Sequence, residues 1–328
     1  MLIRERTEEL EERMLSPYAV RSRDTKGRER EEEKCIIRTD FQRDRDRIIH
    51  SKAFRRLKDK TQVFVMPKSD HWRTRLTHTL VVTQIARTVA RALQLNEDLT
   101  EAIGLGHDLG HTPFGHDGER ALAALSPHGF THYKQSLRVV DFLEDGGLNL
   151  TYEVRDGIVH HTGSQTPQTL EGKIIQYADK IAYLCHDIDD AISAEIIPDI
   201  PKRFSDVLGE DYSERINTFI LDLVSNSIGK NEITMSEPIW NALMELRQYM
   251  FQRVYTSPNK FSQENVNFII ERLYRYFMKN PEKLPEQLTK LQNQYDLCDL
   301  VCDHIAGMTD RYAIDLYKTL FLPRGTGE

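Results

Sequence analysis

Along most of this chain apolar residues return every three to four positions, the period of a helix with one face turned inward. Leu76, Leu80, Ile85, Val89 and Leu93 predict a single buried face on a helix over 74–94. A second long helix is predicted from about 171 to 197, with Ile174, Ile175, Ala178, Ile181, Ala182, Cys185 and Ile188 inward. Pro198 and Pro201 are expected to end it, because proline cannot donate to the helical ladder. Residues 204–229, 237–255, 262–279 and 295–321 read as further helices, punctuated by Pro258, Pro281 and Pro285. There is no run of alternating β-branched residues and no hairpin turn between strands. No internal repeat is visible. The pattern therefore predicts an all-α protein with a charged arm at 1–47, a core at 48–197, and a helical region at 198–328 packed on that core.

Composition adds limits to this picture. The chain has 328 residues, 39% hydrophobic and 29% charged, which is enough apolar material for a real core. Residues 1–47 carry 26 charged side chains of both signs and read as a solvated or surface-clinging arm. The net charge of -7 argues against a nucleic-acid binder over the whole surface, while leaving room for a local basic patch. No uncharged stretch reaches the ~18–20 residues of a membrane span. Arg4, Glu5 and Arg6 stand where a secretory signal would be apolar. Four cysteines, Cys35, Cys185, Cys298 and Cys302, do not make a disulfide scaffold, so the expected location is cytoplasmic.

The histidines point to chemistry. Nine of the twelve fall between His71 and His161. The densest stretch is Gly106-His-Asp-Leu-Gly-His-Thr-Pro-Phe-Gly-His-Asp-Gly-Glu119, where Gly104, Gly106, Gly110, Gly115 and Gly118 suggest a tightly turned backbone around polar side chains. His107 and Asp108 close a short helical segment starting near Thr100. His78 lies on the helix 74–94. Asp179 lies mid-helix among apolar neighbours, where a carboxylate is costly unless paired with Lys180 or an arginine, or bound to a metal. Asp179, Tyr183 and Asp187 recur every four residues and share a helix face. His78, His107–Asp108 and Asp179 form the order H…HD…D. Two imidazoles and two carboxylates suit Mn²⁺, Mg²⁺, Fe²⁺, Co²⁺ or Ni²⁺ better than a thiolate-preferring ion.

At this point the sequence resembles the HD-domain metal-dependent phosphohydrolases. Flanking blocks narrow the likeness: Asp44–Leu57, Lys60-Thr-Gln-Val-Phe64, Arg73–His78, Gly106–His116, Gln135–Val140 and Tyr177–Asp190. Together they resemble the deoxyguanosinetriphosphate triphosphohydrolase-like family, strongly over 38–197 and broadly over 198–328, where Arg275–Glu282 is the most familiar piece. The resemblance implies an HD-domain helical fold with a helical C-terminal extension. It implies metal-dependent hydrolysis of a deoxynucleoside triphosphate, dGTP or several dNTPs, to the deoxynucleoside and inorganic tripolyphosphate. His78, His107, Asp108 and Asp179 would hold the divalent metal, Mn²⁺ or Mg²⁺ first. His116 and Glu119 match the acid–base pair, with His111 either a phosphate contact or a structural support. Arg75, Lys180 and His132 would meet the substrate, Tyr183 would close the 2′ side of the deoxyribose, and Asp187 and Gln62 would read its 3′-hydroxyl. The family also implies a homo-oligomer, a hexamer among the forms expected, and a second dNTP as activator.

Two positions depart from the family pattern: Val81 where glutamate is common, and Tyr133 where asparagine is common. Lys52, Arg55, Arg56, Lys58 and Lys60 form a basic run that suits phosphates, a neighbouring nucleotide or single-stranded DNA, or is a solvated helix face. Cys298, Cys302 and His304 have metal-like spacing with no fourth ligand near, and cysteines four apart on a helix are more often core. His160–His161 either border the pocket or cap a helix over 151–161. The other readings are a different HD phosphohydrolase, such as a nucleotidase or phosphodiesterase, and a nucleotide-sensing or DNA-binding protein with a vestigial site.

Overall fold

The computed structural model describes residues 1–62, 73–255 and 263–323. Val63, Phe64, His71 and Pro258 lie outside the described residues. The fold is all-α. Its helices, in chain order, are α1 (Ile3–Met14), α2 (Asp40–His50), α3 (Lys52–Arg56), α4 (Arg75–Ala92), α5 (Glu97–Gly106), α6 (Gly115–Leu125), α7 (His132–Arg138), α8 (Tyr152–His160), α9 (Leu170–Ser193), α10 (Lys202–Leu208), α11 (Tyr212–Ser227), α12 (Glu237–Met250), α13 (Gln263–Lys279), α14 (Glu286–Thr289), α15 (Leu297–Ala306) and α16 (Asp310–Phe321). Single π-helical turns, Val139–Leu143 and Phe251–Tyr255, extend α7 and α12. Among the described residues there is no β-strand, only isolated bridges between Arg28 and Thr151 and between Thr61 and Thr74.

Side-chain caps fix where the site helices begin. Asn96 accepts from Leu99 N at 3.1 Å to start α5, and Thr169 accepts from Gly172 N at 3.0 Å to start α9. Thr74 and Thr77 bond each other's backbone N–H to start α4. The helices bury their apolar faces in two cores. The first takes residues of α2, α4, α5, α8 and α9 and continues through α10–α12 to Val254. The second is built from Phe114, Ala121 and Leu122 together with α13, α15 and α16. The segment 1–47 lies against the first core: Arg28 pairs with the fully buried Asp44, whose Oδ2 also accepts from Thr151 N at 2.8 Å.

Several helix expectations change. Ile85 and Val89 are fully buried, but Leu80 is half exposed. Nine residues from Leu76 to Ile85 are two and a half turns, so the two ends of that stripe face opposite ways; Thr79, Val82, Thr83 and Ala86 complete the inward face. The long helix stops at Ser193, short of Pro198, because Glu195 turns left-handed with φ 56°. The stretch 204–229 is two helices broken at Gly209, and 295–321 is two helices broken between Gly307 and Thr309. Gly104 and Gly106 are helical rather than turn residues. A Cβ on Gly106 would lie 2.5 Å from Ile158 Cδ1, so glycine lets α5 and α8 approach closely.

Candidate active site

α4, the end of α5, and α9 bring His78, His107 and Asp179 together. His78 Nε2 lies 3.0 Å from Asp179 Oδ1, and His107 Nε2 lies 3.9 Å from the same oxygen. The ligand atoms of these three residues all fall within 4.8 Å of one another. His107 Nδ1 donates to Gly104 O at 2.7 Å, so its Nε2 faces the site, buried and without a hydrogen-bond partner. That bare nitrogen, beside a carboxylate, fits a divalent ion. Asp179 partners His78 instead of Lys180, whose Nζ donates to Gln176 O at 2.9 Å. Burial disfavours the charged form of Asp179, but the His78 hydrogen bond and the surrounding imidazoles win and hold its pKa low.

Asp108 sits beside this trio, with Oδ1 3.6 Å from His107 Nε2. Its Oδ2 accepts from Arg75 Nη1 at 2.8 Å. Burial opposes its charge, yet His107 and the Arg75 guanidinium keep it well below the usual carboxylate range. Arg75 is itself buried, and its Nε and Nη2 have no partner. Two unspent guanidinium donors in a dry place are suited to an anionic ligand.

A second group comes from the glycine-rich stretch and α7. His111 stacks on His132 with centroids 4.2 Å apart. Glu119 Oε2 lies 3.0 Å from His116 Nδ1, and Oε1 accepts from His132 N at 2.8 Å while lying 2.9 Å from His132 Nδ1. Burial works against the Glu119 carboxylate, but hydrogen bonds from both histidines pull its pKa far down. Burial likewise opposes the His132 imidazolium, and the bond to Glu119 overrides it, raising the pKa. Burial, then the Arg75 charge, hold His111 neutral. His116 is the open member, its side chain 64% exposed.

The backbone that carries this group is held from outside. Gly110 N donates to Ser136 Oγ, which donates to His107 O at 2.7 Å. A Cβ on Gly110 would stand 2.1 Å from Ser136 N, so only glycine lets α7 lie against the loop. Phe114 and Gly115 both adopt left-handed φ, 64° and 58°, a costly state for phenylalanine. It is over-determined: Phe114 N donates to Asp310 Oδ1 at 2.9 Å, and the ring is buried in the second core. Asp310 Oδ2 also accepts from Thr61 N at 3.1 Å. Lys60 is fully buried and donates to His111 O and, at 2.7 Å, to Ala306 O. Burial, then the Arg56 charge, lower its pKa to about 7. The basic run is therefore divided: Lys52, Arg55 and Lys58 are exposed, whereas Lys60 is a buried tie between the loop and α15.

Two of the other expected contacts, Tyr183 and Asp187, lie along α9. Tyr183 accepts from Arg247 Nε at 2.9 Å, and burial pushes its pKa up to about 12. Tyr255 donates to the buried Asp187. Gln62 Oε1 is buried without a partner. Val81 packs on the first core, and the Tyr133 ring lies against Gly163. Cys302 and His304 do not join Cys298; His304 meets the Phe277 ring, while Cys298 Sγ lies 3.8 Å from His128 Nδ1. His161 is a site residue the sequence left undecided. It is 1% exposed, its ring is 5.0 Å from that of His107, and its Nε2 is 3.3 Å from His132 Nε2. Its neighbour His160 turns away to Asp156. Only the pair of adjacent histidines signalled it.

This geometry agrees with the comparisons to known proteins. Residues 75–184 match the HD domain, and residues 233–319 match the phosphohydrolase-associated domain. The fold and site thus define an HD-domain phosphohydrolase with groups suited to a divalent metal. A deoxyguanosinetriphosphate triphosphohydrolase-like protein of Caldanaerobacter subterraneus subsp. tengcongensis is 57% identical, over 98% of this chain and 97% of its own. One from Clostridium tetani is 46% identical, over 99% and 97%. The chain belongs to the deoxyguanosinetriphosphate triphosphohydrolase-like family. A solved structure of a hypothetical protein from Aquifex aeolicus overlaps 83% of this chain and 67% of its own at 22% identity, with a TM-score of 0.49. Among the described residues, no helix is long and apolar enough to cross a membrane.

Proposed function

We propose that this protein hydrolyses deoxynucleoside triphosphates at the α-phosphate, releasing the deoxynucleoside and inorganic tripolyphosphate. The observation that carries the reading is the pairing of a buried imidazole–carboxylate group with the two unpartnered donors of Arg75. His78, His107, Asp108 and Asp179 would hold a divalent ion, Mn²⁺ or Mg²⁺ first. Such an ion supplies charge that polarises the α-phosphate and favours deprotonation of the attacking water. Arg75 holds Asp108 with one amino group and offers its free donors to phosphate oxygens. Lys180 adds a second cation, and His111 and His132 border the same space. Glu119 fixes His116 through Nδ1, leaving Nε2 to give a proton to the departing 5′-oxygen. Tyr183 covers the sugar's 2′ side, and Asp187 and Gln62 bind its 3′-hydroxyl.

The family supports homo-oligomeric assembly, a hexamer among the forms expected, and activation by a second dNTP. The exposed Lys52, Arg55 and Lys58 suit single-stranded DNA. Four free thiols fit a reducing compartment and a cytoplasmic location. The test is incubation with each dNTP and rNTP in Mn²⁺ or Mg²⁺, followed by chromatography. Equal yields of deoxynucleoside and tripolyphosphate are expected. Orthophosphate or a nucleoside monophosphate would replace this reading with another HD phosphohydrolase activity, and no turnover at all would favour a sensing or DNA-binding protein.

A further inference from the structure

A group of metal-ligating side chains that shares no residue with the active site lies where the loop between α6 and α7 meets the start of α15. His128 comes from the loop, and Asp296, Cys298 and Asp299 come from the N-terminal end of α15. Their ligand atoms all lie within 4.8 Å of one another. We propose that His128, Asp296, Cys298 and Asp299 form a structural Zn²⁺ site that clips the α6–α7 loop to α15. The proposal does not depend on the activity assigned above.

The donors select the ion. Thiolate, imidazole and carboxylate are the three ligand types Zn²⁺ takes, and a thiolate disfavours Mg²⁺ and Mn²⁺. The distances fit a four-coordinate ion. Cys298 Sγ lies 3.8 Å from His128 Nδ1 and 4.0 Å from Asp299 Oδ1, and His128 Nδ1 lies 3.0 Å from Asp299 Oδ1. Tetrahedral ligands at about 2.0–2.3 Å from an ion stand about 3.3–3.6 Å from one another, within about half an ångström of these contacts. Cys298 is 8% exposed, and its thiol is turned to His128 and Asp299. Asp296 is the N-cap residue of α15, yet its side chain makes no capping bond, although aspartate is among the best caps. Its carboxylate faces His128 instead, at 3.6 Å, and is 72% exposed, so it can swing to an ion. A tight turn presents His128: Gly129 N donates to Ser126 O at 3.0 Å, with Gly129 at φ 70°, a left-handed state glycine takes without strain. The two elements are also held in register nearby, because Asp303 of α15 accepts from Gln135 and Arg138 of α7. The partner that Cys298 lacks along its own helix is thus supplied from 170 residues earlier in the chain.

The experiment strips the full-length protein of metal with a chelator, titrates it with Co²⁺ as a spectroscopic substitute for Zn²⁺, and reads the thiolate-to-cobalt charge-transfer band in the near ultraviolet. The active-site groups contain no sulfur, so an ion bound there gives no such band. A band that saturates stoichiometrically and disappears on addition of Zn²⁺ is expected. It should persist in Cys35→Ser and vanish in Cys298→Ser. His128 is half exposed, so His128→Asn should keep the wild-type circular dichroism even where Cys298→Ser fails to fold. That variant should weaken Co²⁺ binding at least about 10–100-fold, the loss that removal of even an outer contact to a ligand brings. A wild type without the band, or with one that needs a large excess of Co²⁺, overturns the proposal. So does a band that survives Cys298→Ser, or one that His128→Asn leaves unchanged. No readout here depends on turnover, so failure of the Zn²⁺ site leaves the hydrolase reading standing, and the reverse holds as well.

Discussion

The two halves of the candidate site are built differently. His78, His107 and Asp179 stand on α4, the end of α5, and α9, three helices packed in the first core. His111, His116, Glu119 and His132 stand on a loop, α6 and the start of α7, and α6 belongs to the second core. The first half is held by the helices that carry it. The second is held by groups distant in sequence: Lys60 joins His111 O to Ala306 O, and Asp310 ties Phe114 to Thr61. Asp303 adds a third tie, accepting from Gln135 Nε2 and Arg138 at 2.8 and 2.6 Å. The helix-borne half is thus rigid by packing. The half on the loop, α6 and α7 is only as well placed as the junction between the two cores.

The largest expected effect removes the first half. Asp179→Ala should abolish metal binding at His78 and His107 and cut turnover by more than about 10³-fold, because a bound cation supplies several kcal/mol of transition-state stabilisation. Its circular dichroism should stay that of the wild type. Plasma mass spectrometry beside a turnover assay checks this, and full metal retention would dismiss the ligand assignment.

Next comes the second half. His116→Ala should lower kcat by about 10²–10⁴-fold while metal content and dNTP affinity hold, since a lost general acid acts only in the chemical step. Glu119→Gln should move kcat the same way by less. A His116→Ala enzyme with normal kcat would shift the role to His111.

Sugar choice separates contacts on the shared wall. With Tyr183 closing the 2′ side, dNTPs should outpace rNTPs by about 10²-fold, and Tyr183→Ala should erode that ratio without metal loss. Equal turnover of GTP and dGTP by the wild type would remove Tyr183 from this role.

The smallest effect tests the junction. Lys60→Met leaves His111 O and Ala306 O unpaired and should cost about 1.5–3 kcal/mol in urea unfolding. The Lys60 pKa falls to about 7 in the folded chain. The unfolded chain therefore binds more protons between about pH 7 and about pH 10.4, and the contribution of Lys60 to stability rises with pH across that window. The difference between wild type and Lys60→Met should be larger at about pH 9.5 than at about pH 6. A flat difference would show that folding does not lower the Lys60 pKa.

The sequence was most legible where chemistry repeats with helical spacing. The all-α class followed from period and from the lack of alternating runs, because one buried face per helix writes itself into the chain. The family followed from long blocks in order. Spacing alone misjudged the inward face of α4 at Leu80, because a nine-residue step crosses the helix. It also passed over the breaks at Gly209 and Gly307–Thr309, where apolar residues continue on both sides.

By itself, then, the sequence determined the helical class, the family, and the residue types of an imidazole–carboxylate centre. Only the tertiary structure decided which atoms meet. It placed Asp108 with His132 and His161, drew His161 into the site and turned His160 away. It made a buried tie of Lys60, which reads in sequence as one more surface cation. The physical reason is that helical periodicity encodes which side of a helix is buried. The partner of a buried polar atom is fixed by contacts across more than a hundred residues, as from Lys60 to Ala306 or from Thr61 to Asp310, and nothing local records them.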